Sequence, residues 1–307
     1  MNLIHHAAEL NPGSRKVCVA IGVFDGVHLG HQQVIRQTMA DAVQHQALSV
    51  VVTFDRHPNA IVAPERVPSL IYPLAKKLSV IESLNVNATY LIEFTKDFST
   101  IAAEQFVRDL TRDFKSIQSI CVGSNFTFGH KRGGNVDLLG TLGKELNFQV
   151  HGLASVALDG QPVSSTRVRE MIRIGNLDLA NQMLGRTYAL CGPVIKGDGI
   201  GRKIGFPTAN IDVTGLVLPP TGVYAVRAEI SGKVYGAALN IGYRPTLSSP
   251  TPKLQVEAHL LDFAADIYGE TMELTIVRKL RDEQKFASTA ALHDQIAKDI
   301  EAARKSF

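Results

Sequence analysis

The sequence predicts a chain of class α/β + β: an α/β domain on a parallel sheet with helices on both faces, then a small antiparallel β-barrel with a terminal helix. Three observations predict it. Residues 17 to 155 alternate short apolar runs rich in β-branched residues with amphipathic stretches. The texture changes near Gly185. Beyond it, residues 190 to 242 carry ten of the 25 glycines, and strand-like runs follow one another with no helix between them. A length of 307 residues suits two domains of roughly 100 to 200 residues each.

The N-terminal alternation is VCVAIGVF, HQQVIRQTMADAVQ, ALSVVVTF, AKKLSVIESL, ATYLIEF, AAEQFVRDLTRDF and IQSICVG, which reads as strand and helix in turn. Strands so continuously apolar belong in a parallel sheet covered on both faces, where ligands bind beyond the carboxyl ends of the strands. Residues 166 to 184 read as two short helices separated near Gly175, with Gly185 as the stop of the second. The boundary is placed there, giving domains 1–185 and 186–307. GVYAVRAEI, VYGAALNI, LQVEAHLLD and MELTIV then read as barrel strands, and RDEQKFASTAALHDQIAKDIEAARKSF as a final helix with Leu292, Ile296, Ala297 and Ile300 on one face.

Composition narrows the function. Hydrophobic residues make up 45% and charged residues 20%, an ordinary globular mixture. Lys plus Arg exceed Asp plus Glu by 32 to 29, too small a margin to call for nucleic acid or an acidic membrane as partner. Small molecules are the expected partners, and a homo-oligomer is left open. Cys18, Cys121 and Cys191 are odd in number and scattered, which fits reduced thiols in a cytoplasmic protein. The start lacks a signal-peptide pattern, and no apolar run reaches the roughly 18 residues of a membrane span. No Walker-type G-x-x-x-x-G-K-[ST] and no well-placed G-x-G-x-x-G occurs.

The first candidate site is Gly22-Val-Phe24-Asp25-Gly26-Val-His28-Leu-Gly30-His31, which follows the first strand and opens the first helix. Backbone N–H groups and the positive end of the helix dipole make such a turn an anion site, and Gly26 and Gly30 allow close approach. His28 and His31, three apart, are expected on neighbouring turns of one helix face, both able to hydrogen-bond a polyphosphate. A lone H-x-x-H is as readily a surface pair or a metal site; the strand, glycines and helix around this one favour the phosphate role.

G-x-F-D-G-x-H-x-G-H resembles the H-x-G-H signature of the nucleotidyltransferase superfamily, in the form found in prokaryotic FAD synthetases. TFDRHP (53–58), FTKDFSTIAAEQFV (94–107), VGSNFTFGHKRGGN (122–135) and VSSTRVR (163–169) resemble the same family in order and separation. The resemblance implies a Rossmann-like domain in which His28 and His31 stabilise the ATP phosphates, Asn125 helps hold flavin or nucleotide, and Ser164, Ser165, Thr166 and Arg167 close over the triphosphate, assisted by Arg169. It also implies that Gly22, Phe24, Asp25, Gly26 and Gly30 bind the nucleotide. Arg56 stands where the family form F-x-P-H-P has proline, which leaves His57 as either a polar loop residue or a ligand contact. Phe126 and Phe128 are either core residues or a stacking pair for a flavin ring.

The second candidate site is the glycine-rich run from Gly192 to Asn210. Glycines let backbone amides wrap phosphates, and a hydroxyl beside a carboxamide, here Thr208 and Asn210, offers oxygen ligands to Mg²⁺. G-R-x-x-G-F-P-T-A-N resembles the riboflavin kinase signature, with further matches at PPTGVYAV, NIGYRPT, VEAHLLDFAADIYG and the terminal helix. By that resemblance Gly197, Gly199, Gly201, Arg202 and Phe206 bind nucleotide or flavin, Thr208 and Asn210 ligate Mg²⁺, and Glu257 is the general base. In the alternation LQVEAHL, Glu257 shares a face with Gln255 and His259, a polar face that is either exposed or a site.

Together the matches cover residues 17 to about 300. The chain is similar throughout to bifunctional riboflavin kinase/FAD synthetases, which implies phosphorylation of riboflavin to FMN and then adenylylation of FMN to FAD, with ATP as co-substrate of both. The alternatives are retention of one activity, or a flavin-sensing regulator, which would want a nucleic-acid-binding element that the sequence does not show.

Overall fold

The computed structural model describes residues 1–10, 12–197, 199–246 and 249–307, with the backbone alone at 200, 203, 244–246 and 249–253. The chain divides into two compact units, Met1–Val168 with Met183–Gly185, and Arg169–Gln182 with Arg186–Phe307. Residues 169–182, between the two segments of the first unit, thus belong with the second.

The first unit runs β1 (Asn2–Ile4), β2 (Val17–Ile21), α1 (Leu29–Gln44), β3 (Leu48–Phe54), α2 (Asn59–Val62), α3 (Leu74–Glu82), β4 (Ala88–Ile92), α4 (Ala103–Phe114), β5 (Ile117–Gly123), α5 (Val136–Leu146), β6 (Gln149–Leu153) and a small hairpin, β7 (Ala157–Leu158) with β8 (Gln161–Pro162). The six-stranded sheet has the order β1-β4-β3-β2-β5-β6, every pairing parallel. Alternation sorts the strands' side chains by face. Val17, Val19 and Ile21 of β2, with Val50 and Val52, meet Phe106, Val107, Leu110 and Leu139 from α4 and α5. Ala20, Val51 and Cys121 face the other way, against Val34 and Ile35 of α1 and Val80 and Ile81 of α3. After β2 the chain builds outward through β3 and β4, then returns to place β5 on the other side of β2. The crevice at the carboxyl ends of β2 and β5 is therefore the ligand-binding place of a doubly wound sheet.

α6 (Ser165–Ile174) and α7 (Leu177–Leu184) follow, separated and ended by Gly175 and Gly185, whose φ values of +81° and +68° suit glycine. The second unit then runs β9 (Ala189–Ile195), α8 (Ile200–Lys203), β10 (Ala209–Ile211), β11 (Gly222–Ile230), β12 (Lys233–Thr246), β13 (Ser249–Leu260), β14 (Thr271–Arg281) and α9 (Thr289–Arg304). The strands close into a barrel, β10-β13-β12-β11-β14-β9, all antiparallel. The predicted α/β and barrel classes are thus both present.

Two expectations need correction. The terminal helix begins at Thr289, capped by Ser288 Oγ, which accepts from Ala291 N; Arg281 still belongs to β14. The reason is a partner in α9: the Arg281 guanidinium donates to the buried Asp299 carboxylate at 2.9 and 2.7 Å, and to Asp282 O at 2.9 Å. Ala297, expected on the buried face of this helix, is exposed, and Asp299 and Ala303 are buried instead. The glycine-rich run is also not one arch, because Gly192 lies inside β9. A Cβ there would collide with Asp212 O. Asp198, within the run, lies outside the described residues.

All three cysteines are buried and outside any disulfide. Burial pushes the Cys121 thiol up to about 12 and raises Cys18 as well. The native protein should therefore leave a thiol-titrating disulfide reagent unreacted at pH 8, whereas three thiols should titrate after denaturation. A thiol that reacts promptly in the folded state would contradict this packing.

Candidate active sites

The first site starts where the β2 ladder stops. Gly22 N donates to Val52 O at 3.1 Å, and the chain then reverses through Phe24, Gly26 and Val27, all at positive φ (+53°, +78° and +41°). Only glycine takes such angles freely, so the turn must be held from outside. Asp25 supplies one hold: its buried carboxylate accepts from Ile71 N at 3.0 Å, and its carbonyl accepts from Ser165 Oγ at 2.9 Å. A Cβ on Gly26 would strike Ile71. Phe24 is 1% exposed, in the core, with its ring edge-on to His31 at 5.3 Å; it backs the site rather than lining it.

His28 is not on the helix face, as its spacing suggested. It is the N-cap of α1, its Nδ1 accepting from His31 N at 3.4 Å, and this capping turn stacks the two rings with centroids 3.6 Å apart and planes 19° apart. Gly30 makes room, since a Cβ there would lie 3.2 Å from His28 Cε1 and 3.8 Å from Val163 O. Ser164 and Ser165 sit at the start of α6, where Ser164 Oγ accepts from Arg167 N at 3.2 Å. Thr166 follows in that first turn. Arg167 turns away to Leu158 O (2.9 Å) and Gln161 O (3.1 Å) of the hairpin, and Arg169 is buried and belongs to the second unit. Those two bonds hold Arg167 to the hairpin. Asn125 is exposed in the turn after β5, across the crevice from the histidine turn. Phe128 is core, with Phe126 stacked on it at 5.4 Å, and His57 Nδ1 accepts from Asn59 N as a polar loop residue does.

Sequence reasoning missed Lys77. It lies in a run that reads as an amphipathic helix, yet its side chain is buried, and Nζ donates to Phe54 O at 2.7 Å, Thr53 Oγ1 at 3.2 Å and Val23 O at 3.3 Å.

The second site lies on the outer face of the barrel. Asn210 of β10, Glu257 of β13 and Asn240 of β12 are in register, so their side chains form one row across three strands. The opposite face carries Ala209, Ala258 and Leu239, which fill the interior. Glu257 is 6% exposed, so the polar face of LQVEAHL is covered at this point and is not a solvent face. Gly197 and residues 199–208, α8 among them, run beside this row. A Cβ on Gly197 would lie 2.6 Å from Asn210 Cγ, and one on Gly201 3.1 Å from Thr208 Oγ1. Phe206 packs edge-on to His259 at 6.1 Å and against His293 at 4.9 Å, while His259 Nδ1 lies 2.8 Å from Pro207 O. Gly199, at φ +66°, and Arg202 are exposed on the arch. A cleft of about 1220 Å³, lined in part by Tyr243, Glu283, Lys285, Phe286 and Leu292, lies along β12 from Asn240. Asn240 and this cleft were not found from the sequence, because strand register and the β14–α9 loop bring them to the site.

Among the described residues no group of three or more His, Cys, Asp or Glu could hold a metal. The Thr208 hydroxyl and Asn210 carboxamide beside the Glu257 carboxylate are hard oxygen donors. That set suits Mg²⁺ carried in on phosphates, an ion that keeps few protein ligands.

Comparison with known proteins joins the two sites. A family model for FAD synthetase matches residues 11–167, and one for riboflavin kinase matches 184–307. The chain belongs to the bifunctional riboflavin kinase/FMN adenylyltransferase family. Curated members of that name are 36% identical over 304 residues in Pseudomonas fluorescens (99% of this chain, 97% of the relative), 35% over 308 in Haemophilus influenzae (100% and 99%), and 35% over 315 in Bacillus subtilis (100% and 98%). A crystal structure described as a macrolide-efflux protein from Streptococcus pneumoniae is similar over 98% of each chain, with 30% identity and a TM-score of 0.80. Among the described residues of this chain no helix is long and apolar enough to cross a membrane. As a member of the family, the chain makes FMN from riboflavin and ATP, and FAD from FMN and ATP. Both expected activities are thus retained.

The tight approach of Gly197 to Asn210 gives a test. Gly197→Ala should displace the carboxamide and lower FMN formation by ~10²-fold, the scale of a small misplacement at a reacting centre. FAD formation from supplied FMN should stay within about twofold, measured by chromatographic separation of the flavins.

Proposed function

We propose that residues 1–185 carry out adenylyl transfer and residues 186–307 the kinase reaction, with the side chains of the two sites in the following roles. The observation that carries the kinase assignment is the buried Glu257, in register between Asn210 and Asn240 and beside the glycine-rich segment. Glu257 takes the proton of the riboflavin primary hydroxyl as its oxygen bonds to the γ-phosphorus of ATP and the bond to ADP breaks. Burial beside polar side chains keeps water from competing for that phosphoryl group. Gly197, Gly199 and Gly201 present backbone N–H groups to the phosphates, with Arg202 and Phe206 beside them. Thr208 and Asn210 would hold Mg²⁺, whose chemistry is to neutralise charge on the phosphate oxygens.

In the first unit the FMN phosphate attacks the α-phosphorus of ATP, and pyrophosphate leaves. No base is needed, since the nucleophile is already an anion. His28 and His31, stacked before substrate arrives, donate to the phosphate oxygens as charge moves toward the leaving group. The N-terminus of α6, with Ser164, Ser165 and Thr166, supplies further donors, and Asn125 holds flavin or nucleotide from the other side of the crevice. Gly22, Gly26 and Gly30 shape this cradle. Arg167, tied to the hairpin, braces it. Small molecules are the partners of both sites. Buried thiols outside any disulfide support a cytoplasmic location.

His28→Ala or His31→Ala should reduce FAD formation from FMN by ~10²- to 10³-fold, the usual loss on removing one preorganised donor. Riboflavin phosphorylation in the same preparations should be unchanged. Equal damage to both reactions would return the pair to a structural capping role.

Glu257→Gln keeps shape and hydrogen bonding but removes the proton acceptor. FMN formation should fall by ~10²- to 10⁴-fold, whereas FAD formation from supplied FMN should continue at the parent rate. Full kinase activity in this variant would sink the assignment of Glu257 as base.

A further inference from the structure

Lys77 is a buried cation that neither reaction, as assigned, uses. It projects from α3 to the carboxyl ends of β2 and β3, and its three acceptors come from both strands: Phe54 O at 2.7 Å and Thr53 Oγ1 at 3.2 Å from β3, and Val23 O at 3.3 Å just past β2. Thr53 Oγ1 donates in turn to the same Val23 carbonyl, at 3.1 Å. Among the described residues, the charged groups it faces are Asp25, two residues past Val23, and Asp55, next to Phe54.

The position explains why a charge would be kept there against the cost of burial. Val23 lies just beyond the β2 ladder, whose last bond is Gly22 N to Val52 O, and the residues after it make the turn at positive φ that ends in His28. The Thr53 hydroxyl of β3 holds this carbonyl, and Thr53 accepts in turn from Lys77. An ammonium with three donors can join its carbonyl to the end of the neighbouring strand; an apolar side chain of similar length would leave three acceptors without it.

We infer that Lys77 is a positioning residue for adenylyl transfer: its ammonium pins Val23 to the end of β3 and so fixes the turn that sets the His28–His31 pair over the phosphates. The inference rests on the phosphate-binding role proposed for those histidines. Lys77 itself touches no substrate.

Titration supplies a readout that a merely structural lysine would not move. Burial lowers the Lys77 ammonium to about 8, partly opposed by Asp25 and Asp55. Below that pH it has three donors; above it, the neutral amine keeps two and turns a lone pair toward carbonyl oxygens. The hold on Val23 therefore weakens as pH rises.

The test uses the full chain, with FAD formation from FMN and FMN formation from riboflavin both followed from pH 6.5 to 9.5. In the parent protein, kcat for FAD formation should fall above about pH 8 with a one-proton slope, while the kinase reaction shows no such limb. Lys77→Arg keeps a charged donor at every pH and should abolish the limb. Lys77→Met should lower kcat for FAD formation by ~10²-fold with little change in KM for ATP, leaving the kinase reaction intact. If Lys77→Met does not fold, the parent and Lys77→Arg profiles decide the matter alone. A flat parent profile, or a limb unchanged in Lys77→Arg, overturns the inference even if the histidine variants behave as proposed. Undamaged His28→Ala and His31→Ala enzymes overturn the phosphate reading instead.

Discussion

Strand β2 sets the terms for the first unit. All five of its residues are buried, and it is paired on both sides, to β3 and β5, so its backbone polar groups have no outlet but those ladders. The ladder can continue only while the neighbours do. At Gly22 it makes its last bond, to Val52 O, and the chain must turn at once. Each later feature of the site answers that end: the turn at positive φ, Asp25 bonded to Ile71 N, the Val23 carbonyl shared by Lys77 and Thr53, and His28 satisfying a free N–H at the start of α1. The histidine pair is stacked because a capping bond and an absent Cβ at Gly30 leave the rings little other place.

The barrel solves a different problem. A closed sheet of six strands has an inner face filled by small and branched apolar residues, so chemistry is confined to the outer face. An outer face is ordinarily wet. Here Gly197 and residues 199–208 run beside β10, and α9 packs Ala303 and Ile300 against Ala225, Ala238, Val277 and Leu280. Between these covers the Glu257 carboxylate lies buried at the centre of a row of carboxamides. Arg281, held by Asp299, fixes the start of the β14–α9 loop and with it one wall of the adjoining cleft.

What the sequence disclosed, it disclosed through local rules. Apolar β-branched runs gave the inner strands, Gly175 and Gly185 gave the helix ends, and the glycines around His28 marked a strand-to-helix turn. What stayed hidden depended on distant partners. The three-residue strands β1 and β10 exist only because β4, β9 and β13 lie beside them. Lys77 looks like a solvated residue of an amphipathic helix until Phe54 and Val23, 23 and 54 residues away, are brought to it. RDEQKF has helical composition, but Asp299 claims Arg281 from the far end of α9 and holds the strand form. For Phe24 and Arg167 the motif does not disclose the surroundings: Phe24 is buried in the core, and Arg167 is bonded to the hairpin.

The barrel has one narrow seam. β10 is joined to β9 by two residue pairs and to β13 by two, whereas β11 and β12 share nine. Asn210 is in the seam itself, and Glu257 is the residue opposite it. Local opening follows the path that breaks fewest ladder bonds, so this cylinder is weakest where Asn210 faces Glu257. Amide protons of Ala209–Ile211 should exchange earliest among the barrel strands for that reason, and a ligand spanning β10 and β13 would act as a clasp on the cylinder.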